Sequence, residues 1–406
     1  MSSEGEPVAE LPVALIRCIF THLDGASVAR CSCLGAAWRA AGQDETLWAS
    51  LFAKQWRDGI LATGFPASTC FQRRRRLSNW VVELARFTEG RAHPPNTPLS
   101  DLEATHPPEW VLHALQSNMR VAQNNWSWWA SAIQNWACRC LARSLEPHRQ
   151  DSESRKLVNM SCAITLLIDQ SADVIAACAA LEALGAAARV RLAALGLEEG
   201  DVVGRARAVT DFLCLPSPHI NQLVPRQGWR TVVPPHLLPE LVSEAAAIAP
   251  NVTGRVGLGF TGCPAASYAH TSNSSLEFCL AARCGLPITL AVVHIAVAHS
   301  AGVLIQPVNT PRHFLTRLPK PHNMFFDLFN GGVHMEAAEV GDNLSLPTEK
   351  VLEAGFPVLN VVANRMMGNV HNHAGNQMEL DTEGMVKARM VIEETMYHYA
   401  EYEDYW

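Results

Sequence analysis

Apolar and polar positions are patterned most sharply between residues 273 and 332. Asn273-Ser274-Ser275-Leu276 reads as the capped start of a helix. Gly285-Leu286-Pro287 breaks the chain, and the stretch Ala291–Val308 is almost wholly apolar. That pattern predicts a buried helix from Leu286 that passes into a strand by Val308. Two short strands are expected next, one presenting His313 after Thr310-Pro311 and the other presenting Asp327 before Gly331-Gly332.

Near the start, Leu15, Ile19 and Leu23 recur every four residues, with Ile16 and Phe20 beside them. This predicts an amphipathic helix opened by Leu11-Pro12 and stopped at Asp24-Gly25. A second helix is expected from Ser27 to about Trp38, with Val28, Cys31, Leu34 and Trp38 on one side. A third begins after Gly42 at Thr46-Leu47-Trp48 and runs through Trp56. Three short helices make a very small core, so this unit should be stabilised by a partner.

The middle of the chain is helical in pattern. Arg73-Arg74-Arg75-Arg76 reads as a solvated helix start whose stems cover apolar surface, with a nuclear import signal or an acidic-partner patch as the sharper alternative. Residues 90–108 read as a loop. Pro108–Leu145 is helical and carries Trp110, Trp126, Trp128, Trp129 and Trp136, an aromatic stripe expected to pack helices together. Residues 146–156 are the best linker candidate, and Leu157–Gly196 reads as two helices whose small residues allow close packing. Residues 214–257, rich in Pro, should be irregular apart from one helix near Leu237–Ala249.

Composition narrows the class. The chain has 406 residues, a net charge of −7 and 12 Cys, with no C-x-x-C pair. Two or three domains are expected. The charge offers no general attraction to nucleic acid, and the cysteine usage points to a reducing compartment, cytoplasmic or nuclear. The acidic, polar first ten residues argue against a secretory signal. His294, His299 and Gln306 argue against a membrane span in the long apolar run.

A helix start followed by a His strand and an Asp strand is the layout of a Cys-His-Asp acyl-transfer site. The nucleophile belongs just after Gly285, where a helix N-terminus lowers a thiol pKa. That slot holds Pro287, so His313 and Asp327 stand as vestigial candidates. Cys263, Cys279 and Cys284 are the thiols that could otherwise serve them. The alternative is that His313 and Asp327 are kept as a buried hydrogen-bonded pair holding two strands. Gly257-Leu258-Gly259-Phe260-Thr261-Gly262 matches G-x-G-x-x-G only formally, because Pro264 follows at once and Glu277 comes too early for the ribose acid. His371-Asn372-His373 lies in a helical stretch, where i, i+2 side chains diverge, so no metal site and no cofactor is expected.

Two resemblances order these observations. Leu11, Pro12, Leu15, Ile19, Leu23, Val28, Arg30, Leu34, Trp38, Arg39, Leu47 and Trp48 fall on the positions of the F-box. Asn273-Ser274, Arg283–Thr289, Pro311–Arg317 and Asp327–Gly332 follow, in order, the four blocks of a core that resembles the transglutaminase-like core of the F-box only protein 21 type. Pro in the nucleophile slot is usual there. Asn360–Asn369 resembles the helix that closes that core. F-box proteins of that type commonly continue into a small β domain similar to bacterial hemimethylated-DNA-binding proteins, and no stretch here resembles it.

The resemblance implies a fold that is mainly α with an α+β part: an N-terminal three-helix F-box over 8–56, a helical linker region over 57–150, and a transglutaminase-like (papain-like) α+β core over 151–392 with an inserted loop at 214–257. An acidic aromatic tail follows at 393–406. It implies a substrate-recognition subunit of a Skp–cullin–F-box (SCF) E3 ubiquitin ligase. Leu11, Pro12, Leu15, Ile16, Ile19, Phe20, Leu23, Val28, Leu34, Trp38, Leu47 and Trp48 would bind the Skp adaptor, and the cullin would follow. The core would be a non-catalytic module for an unknown protein target, with no nucleic-acid or membrane partner. The competing readings are an active thiol acyltransferase or protease using His313 and Asp327, and an F-box scaffold that does not deliver targets for degradation.

Overall fold

A computed structural model of the chain describes residues 11–23, 25–55, 66–88, 108–121, 126–145, 151–217, 236–250, 256–311, 313–353 and 359–374. The chain divides into two compact units, Met1–Trp129 and Ala130–Trp406.

The first unit is helical. It begins with α1 (Val13–Phe20), α2 (Gly25–Cys31), α3 (Ala36–Gly42) and α4 (Glu45–Gln55). The sequence pattern predicts three helices here and the structure has four, because the expected Ser27–Trp38 helix is two. The Ser32 hydroxyl donates to the Val28 carbonyl (2.8 Å) where α2 ends, and the backbone is fully extended at Gly35 before α3 begins. Trp38 therefore rides on its own helix and packs its ring 5.7 Å from that of Phe20. A Cβ on Gly42 would lie 2.0 Å from Ser32 Oγ, so glycine lets the end of α3 close on the turn after α2. Trp48 Nε1 donates to the Gly42 carbonyl (2.7 Å) and ties α4 to the same point.

Beyond α4 lie α5 (Ala67–Thr88), α6 (Pro108–Val121) and α7 (Trp126–Leu145). The four arginines fall inside α5 and not at a helix start. Arg74 is buried, with its Cζ 5.3 Å from the centre of the Trp110 ring and Nη2 3.2 Å from His113 Nδ1. One arginine of the run is thus core, stacked on an aromatic face that an alkyl chain could not use in the same way. Trp110 packs 5.6 Å from Phe52, and Trp129 and Trp136 are buried, as the aromatic stripe predicts. The side chains of Trp126 and Trp128 lie outside the described residues.

The second unit takes in α7 from Ala130 onward and continues with helices α8 (Glu153–Ile168), α9 (Val174–Ala194), α10 (Val202–Cys214) and α11 (Leu237–Ile248). Helices α8, α9 and α10 are capped by Ser152, Asp173 and Asp201, whose side chains accept from the backbone amides of Arg155, Ala176 and Gly204 in the first turn. Residues 218–235 of the expected insertion lie outside the described residues. Next come β1 (Thr261–Gly262), α12 (Leu276–Ala282), β2 (Cys284–Gly285) and α13 (Pro287–Ser300). β1 and β2 pair in parallel. The strands β3 (Gln306–Thr310), β4 (His313–Arg317), β5 (Met324–Asp327) and β6 (Val333–Glu336) form an antiparallel meander. α14 (Ala337–Leu344), α15 (Thr348–Glu353) and α16 (Leu359–Ala374) complete the unit.

The core follows from strand alternation. Val308, Leu315, Phe325 and Met335 point to one face and pack with Val340 of α14 and Val351 of α15. Thr316 and Phe326 point the other way and meet His294 of α13. α13 is apolar all round because α8, α9, α10 and the sheet enclose it. Among the described residues, no helix is long and apolar enough to cross a membrane.

Candidate functional site

The His and Asp strands lie side by side, as the sequence predicts. His313 opens β4 and Asp327 closes β5, and His313 Nε2 donates to Asp327 Oδ2 at 2.9 Å. Asn330 adds two more donors to the same carboxylate, its amide N to Oδ1 (3.2 Å) and its Nδ2 to Oδ2 (2.7 Å). The turn that brings Asn330 back runs through Gly331 and Gly332, both at positive φ, with Gly332 N bonded to the Asp327 carbonyl (2.8 Å). Burial pushes the Asp327 carboxyl up, but the hydrogen bonds from His313 and Asn330 outweigh it and hold the group below the ordinary aspartate value. This is an oriented imidazole with an ionised partner, two parts of an acyl-transfer triad.

The third part is absent from its slot. α13 starts at Pro287, with Leu286 as its N-cap. The start is fixed by Asn273: its carbonyl accepts from Leu286 N (3.1 Å) and from Thr289 Oγ1 (3.1 Å), while its Nδ2 donates to the Ser267 carbonyl (2.6 Å). The Asn-Ser block thus serves as a staple for the helix start. Arg283 has a similar job. It ends α12 in the left-handed conformation, donates to the Leu258 carbonyl (3.0 Å) and pairs with Glu244.

The nearby thiols do not take over. Burial, with Cys284 adding to it, pushes the Cys263 thiol up to about 12. Burial pushes Cys284 up to about 11 and Cys279 well above its ordinary value. All three stay protonated near neutral pH, and among the described residues no thiol hydrogen-bonds His313. Phe329 packs beside His313. Its ring lies edge-on to His313 (6.1 Å) and to Tyr268 (6.0 Å), and its carbonyl accepts from Gly262 N (2.8 Å). A Cβ on Gly262 would lie 2.5 Å from the Phe329 ring, so β1 and Phe329 are in direct contact.

The other sequence candidates resolve into packing. In Gly257–Gly262 the backbone amides of Leu258 and Phe260 are spent on the carbonyls of Phe212 (2.8 Å) and Leu213 (2.9 Å) at the end of α10, which leaves no phosphate cradle there. His371 is exposed on α16, while His373 is buried against Tyr268. Among the described residues, no three His, Cys, Asp or Glu side chains group to hold a metal ion. Asn330, Phe329 and Tyr268 were not expected at the site. Only the Asp-x-x-Asn-Gly-Gly turn signal pointed toward the first of them.

In the first unit the adaptor candidates separate into two sets. Ile16, Phe20, Val28, Leu47 and Trp48 are buried and form the small core. Leu11 (40 %), Leu15 (51 %) and Leu34 (69 %) are exposed, as is Pro12, and Ile19, Leu23 and Trp38 are half-buried. Apolar side chains at and around α1 and in the turn after α2 therefore remain open after the segment has packed its own interior.

Comparison with known families fits this division. Residues 245–367 match the transglutaminase-like superfamily, and residues 8–54 match the F-box-like family. The chain joins an F-box-like segment to a transglutaminase-like core. Over 126 residues the chain is 31 % identical to a UPF0162 protein of Xylella fastidiosa strain 9a5c, covering 28 % of this chain and 44 % of that protein. A UPF0162 protein of strain Temecula1 is 40 % identical over 74 residues, 18 % of this chain and 26 % of that one. F-box only protein 21 of Mus musculus is 30 % identical over 112 residues, 25 % of this chain and 18 % of the mouse protein. The chain thus spans less than half the length of the curated relatives it matches. No solved structure matches it significantly. The match over the F-box-like segment coincides with α1–α4, and the match over the transglutaminase-like core takes in α12 through the sheet to most of α16.

Proposed function

We propose that this chain is the substrate-recognition subunit of an SCF-type E3 ubiquitin ligase, with its transglutaminase-like core acting as a non-catalytic protein-binding module. The observation that carries the proposal is the set of apolar side chains the F-box-like segment leaves open, with Leu11, Leu15 and Leu34 exposed and Ile19, Leu23 and Trp38 half-buried. Apolar side chains left open in one small segment mark a docking surface, and an amphipathic helix lies naturally in a groove of a partner. The Skp adaptor is the partner that an F-box-like segment calls for, and the cullin follows from it. Ile16, Phe20, Val28, Leu47 and Trp48 would support the face from beneath. The core would hold a target protein near the transfer machinery and so supply proximity rather than chemistry. This role fits a cytoplasmic or nuclear location.

The non-catalytic part rests on Pro287 at the helix start and on thiols that burial keeps protonated. The thiol acyltransferase reading is favoured by one feature, the His313–Asp327 hydrogen bond. That bond has a sufficient structural reason, since Asp327 gathers three donors and ties β4 to the turn after β5.

The test is a pull-down of the purified chain with Skp adaptor and cullin, wild type against Leu15→Asp/Ile19→Asp. Binding by wild type that the double variant loses supports the proposal. Absence of binding by wild type overturns it. Ubiquitination of a co-purifying protein then separates a receptor from an F-box scaffold that delivers nothing.

A further inference from the structure

A second cluster of reactive groups lies well apart in sequence from His313, between α8 and α9. Cys162 of α8 and Cys178 of α9 place their sulfurs 3.5 Å apart, in hydrogen-bonding contact. Cys162 is buried, whereas Cys178 is partly exposed and lines an open cleft of about 440 Å³. Arg155, Glu182, His299 and Ser300 share the cleft wall, and Arg155 pairs with Glu182 at 3.7 Å.

We propose that Cys162 and Cys178 form a reversible oxidation site, in which a hydroperoxide entering the cleft oxidises Cys178 and Cys162 resolves it to a disulfide linking α8 to α9. The geometry supplies each requirement: a partly exposed cysteine on the cleft wall, a second sulfur already in contact with it, and a cation on the same wall. The electrostatics agree. Contact with Cys162 and the charge of Arg155 draw the Cys178 pKa down against its burial, while the same contact and burial push Cys162 up. Cys178, on the cleft wall, is the nucleophile, and the buried Cys162 is the resolving thiol.

The step balances as follows. The Cys178 thiolate attacks one peroxide oxygen, the O–O bond breaks, and the departing alkoxide or hydroxide takes a proton from water. Cys162 sulfur then attacks the Cys178 sulfenic sulfur. An S–S bond forms, the S–O bond breaks, and the leaving hydroxide carries away the Cys162 proton as water. Two thiols are oxidised by two electrons and one peroxide is reduced. A dithiol reductant reverses the change by exchange. In a reducing compartment such a disulfide is transient and reports oxidant.

Trypsin offers a clean readout. Cleavage after Lys156 and Arg189 releases residues 157–189 as one peptide, and Cys162 and Cys178 are its only cysteines. The full chain is treated with hydrogen peroxide, its free thiols are alkylated, and the peptide is weighed. The expected result is a peptide lighter by two hydrogens with neither thiol alkylated, restored to the doubly alkylated form by dithiothreitol. Cys162→Ser should leave Cys178 as a sulfenic acid captured by a 1,3-diketone. Wild-type peptide with both thiols still alkylated, or with Cys178 carried on to the sulfinic acid and no cross-link, overturns the proposal. The wild-type arm does not depend on the variant folding.

Discussion

His294 shows how much one side chain can carry in this core. It is fully buried in α13, with Nε2 3.1 Å from Thr210 Oγ1 on α10 and Nδ1 2.8 Å from Thr316 Oγ1 on β4. The Thr210 hydroxyl already donates to the Ala206 carbonyl (2.9 Å). Its oxygen must then accept, so the network assigns the proton to Nε2 and leaves Nδ1 to accept from Thr316. The ring is neutral and satisfied. Burial, with His334 adding to it, lowers its pKa from 6.5 to about 3. The sign of the pH effect follows. Above pH 6.5 both folded and unfolded chains hold a neutral ring and nothing changes. Below it the unfolded chain gains a proton that the folded chain refuses, so stability is lost as pH falls, until the folded value near 3 is reached. Between pH 7 and 5 this group alone should remove about 2 kcal/mol. Urea unfolding at both pH values checks it: wild type should lose that much more than His294→Gln, and equal losses would refute the assignment. Little of this was legible beforehand. The sequence placed His294 only as a polar residue in an apolar run, because its partners lie 84 and 22 residues away.

At the scale of elements, the pattern located helices well and their breaks less well. Periodicity found α1, α8, α9 and α13, and the order of the His and Asp strands placed the candidate site, because those signals are local. It merged α2 with α3, since Val28 and Trp38 are both apolar and nothing in the spacing announces the extended backbone at Gly35. It put the arginine run at a helix start, since burial of Arg74 depends on Trp110 and His113 from a different helix. The Ala-rich face of α9 was read correctly as a close-packing surface, and Gly185 is where the approach is tightest. A Cβ there would lie 2.3 Å from Ser300 Cβ on α13. Helix propensity alone favours Gly185→Ala by about 1 kcal/mol. The contact should win, because Ser300 Cβ cannot rotate away and the two helices must part, at about 1–3 kcal/mol. Gly185→Ala is therefore expected to lower the denaturation midpoint. Adding Ser300→Gly should recover most of its effect, giving a coupling that thermal or urea melts can resolve. Additive losses in that cycle would mean the helices do not meet there.

For the whole molecule, the question is whether its two units are stabilised separately. Each has its own buried set: Ile16, Phe20, Phe52 and Trp110 in Met1–Trp129, and the helices around α13 with the four-stranded sheet in Ala130–Trp406. The first unit leaves part of its apolar face open, as a segment completed by a partner should. The second encloses its central helix and holds buried polar pairs such as His313–Asp327. Leu15→Asp/Ile19→Asp separates the two. Leu15 is half exposed and Ile19 half-buried, so the carboxylates act on the docking face and on the thin core of the first unit. Neither residue belongs to the unit that holds α13. Calorimetry of the variant should then show the transition of Ala130–Trp406 at its wild-type temperature, whatever happens to the smaller unit. A shift of that larger transition would show that one cooperative core runs through the chain. It would also mean that loss of adaptor binding by the same variant reports unfolding rather than a damaged docking face. An unmoved transition confines the variant's effect to the first unit, so the pull-down then reads the apolar face together with the thin core beneath it.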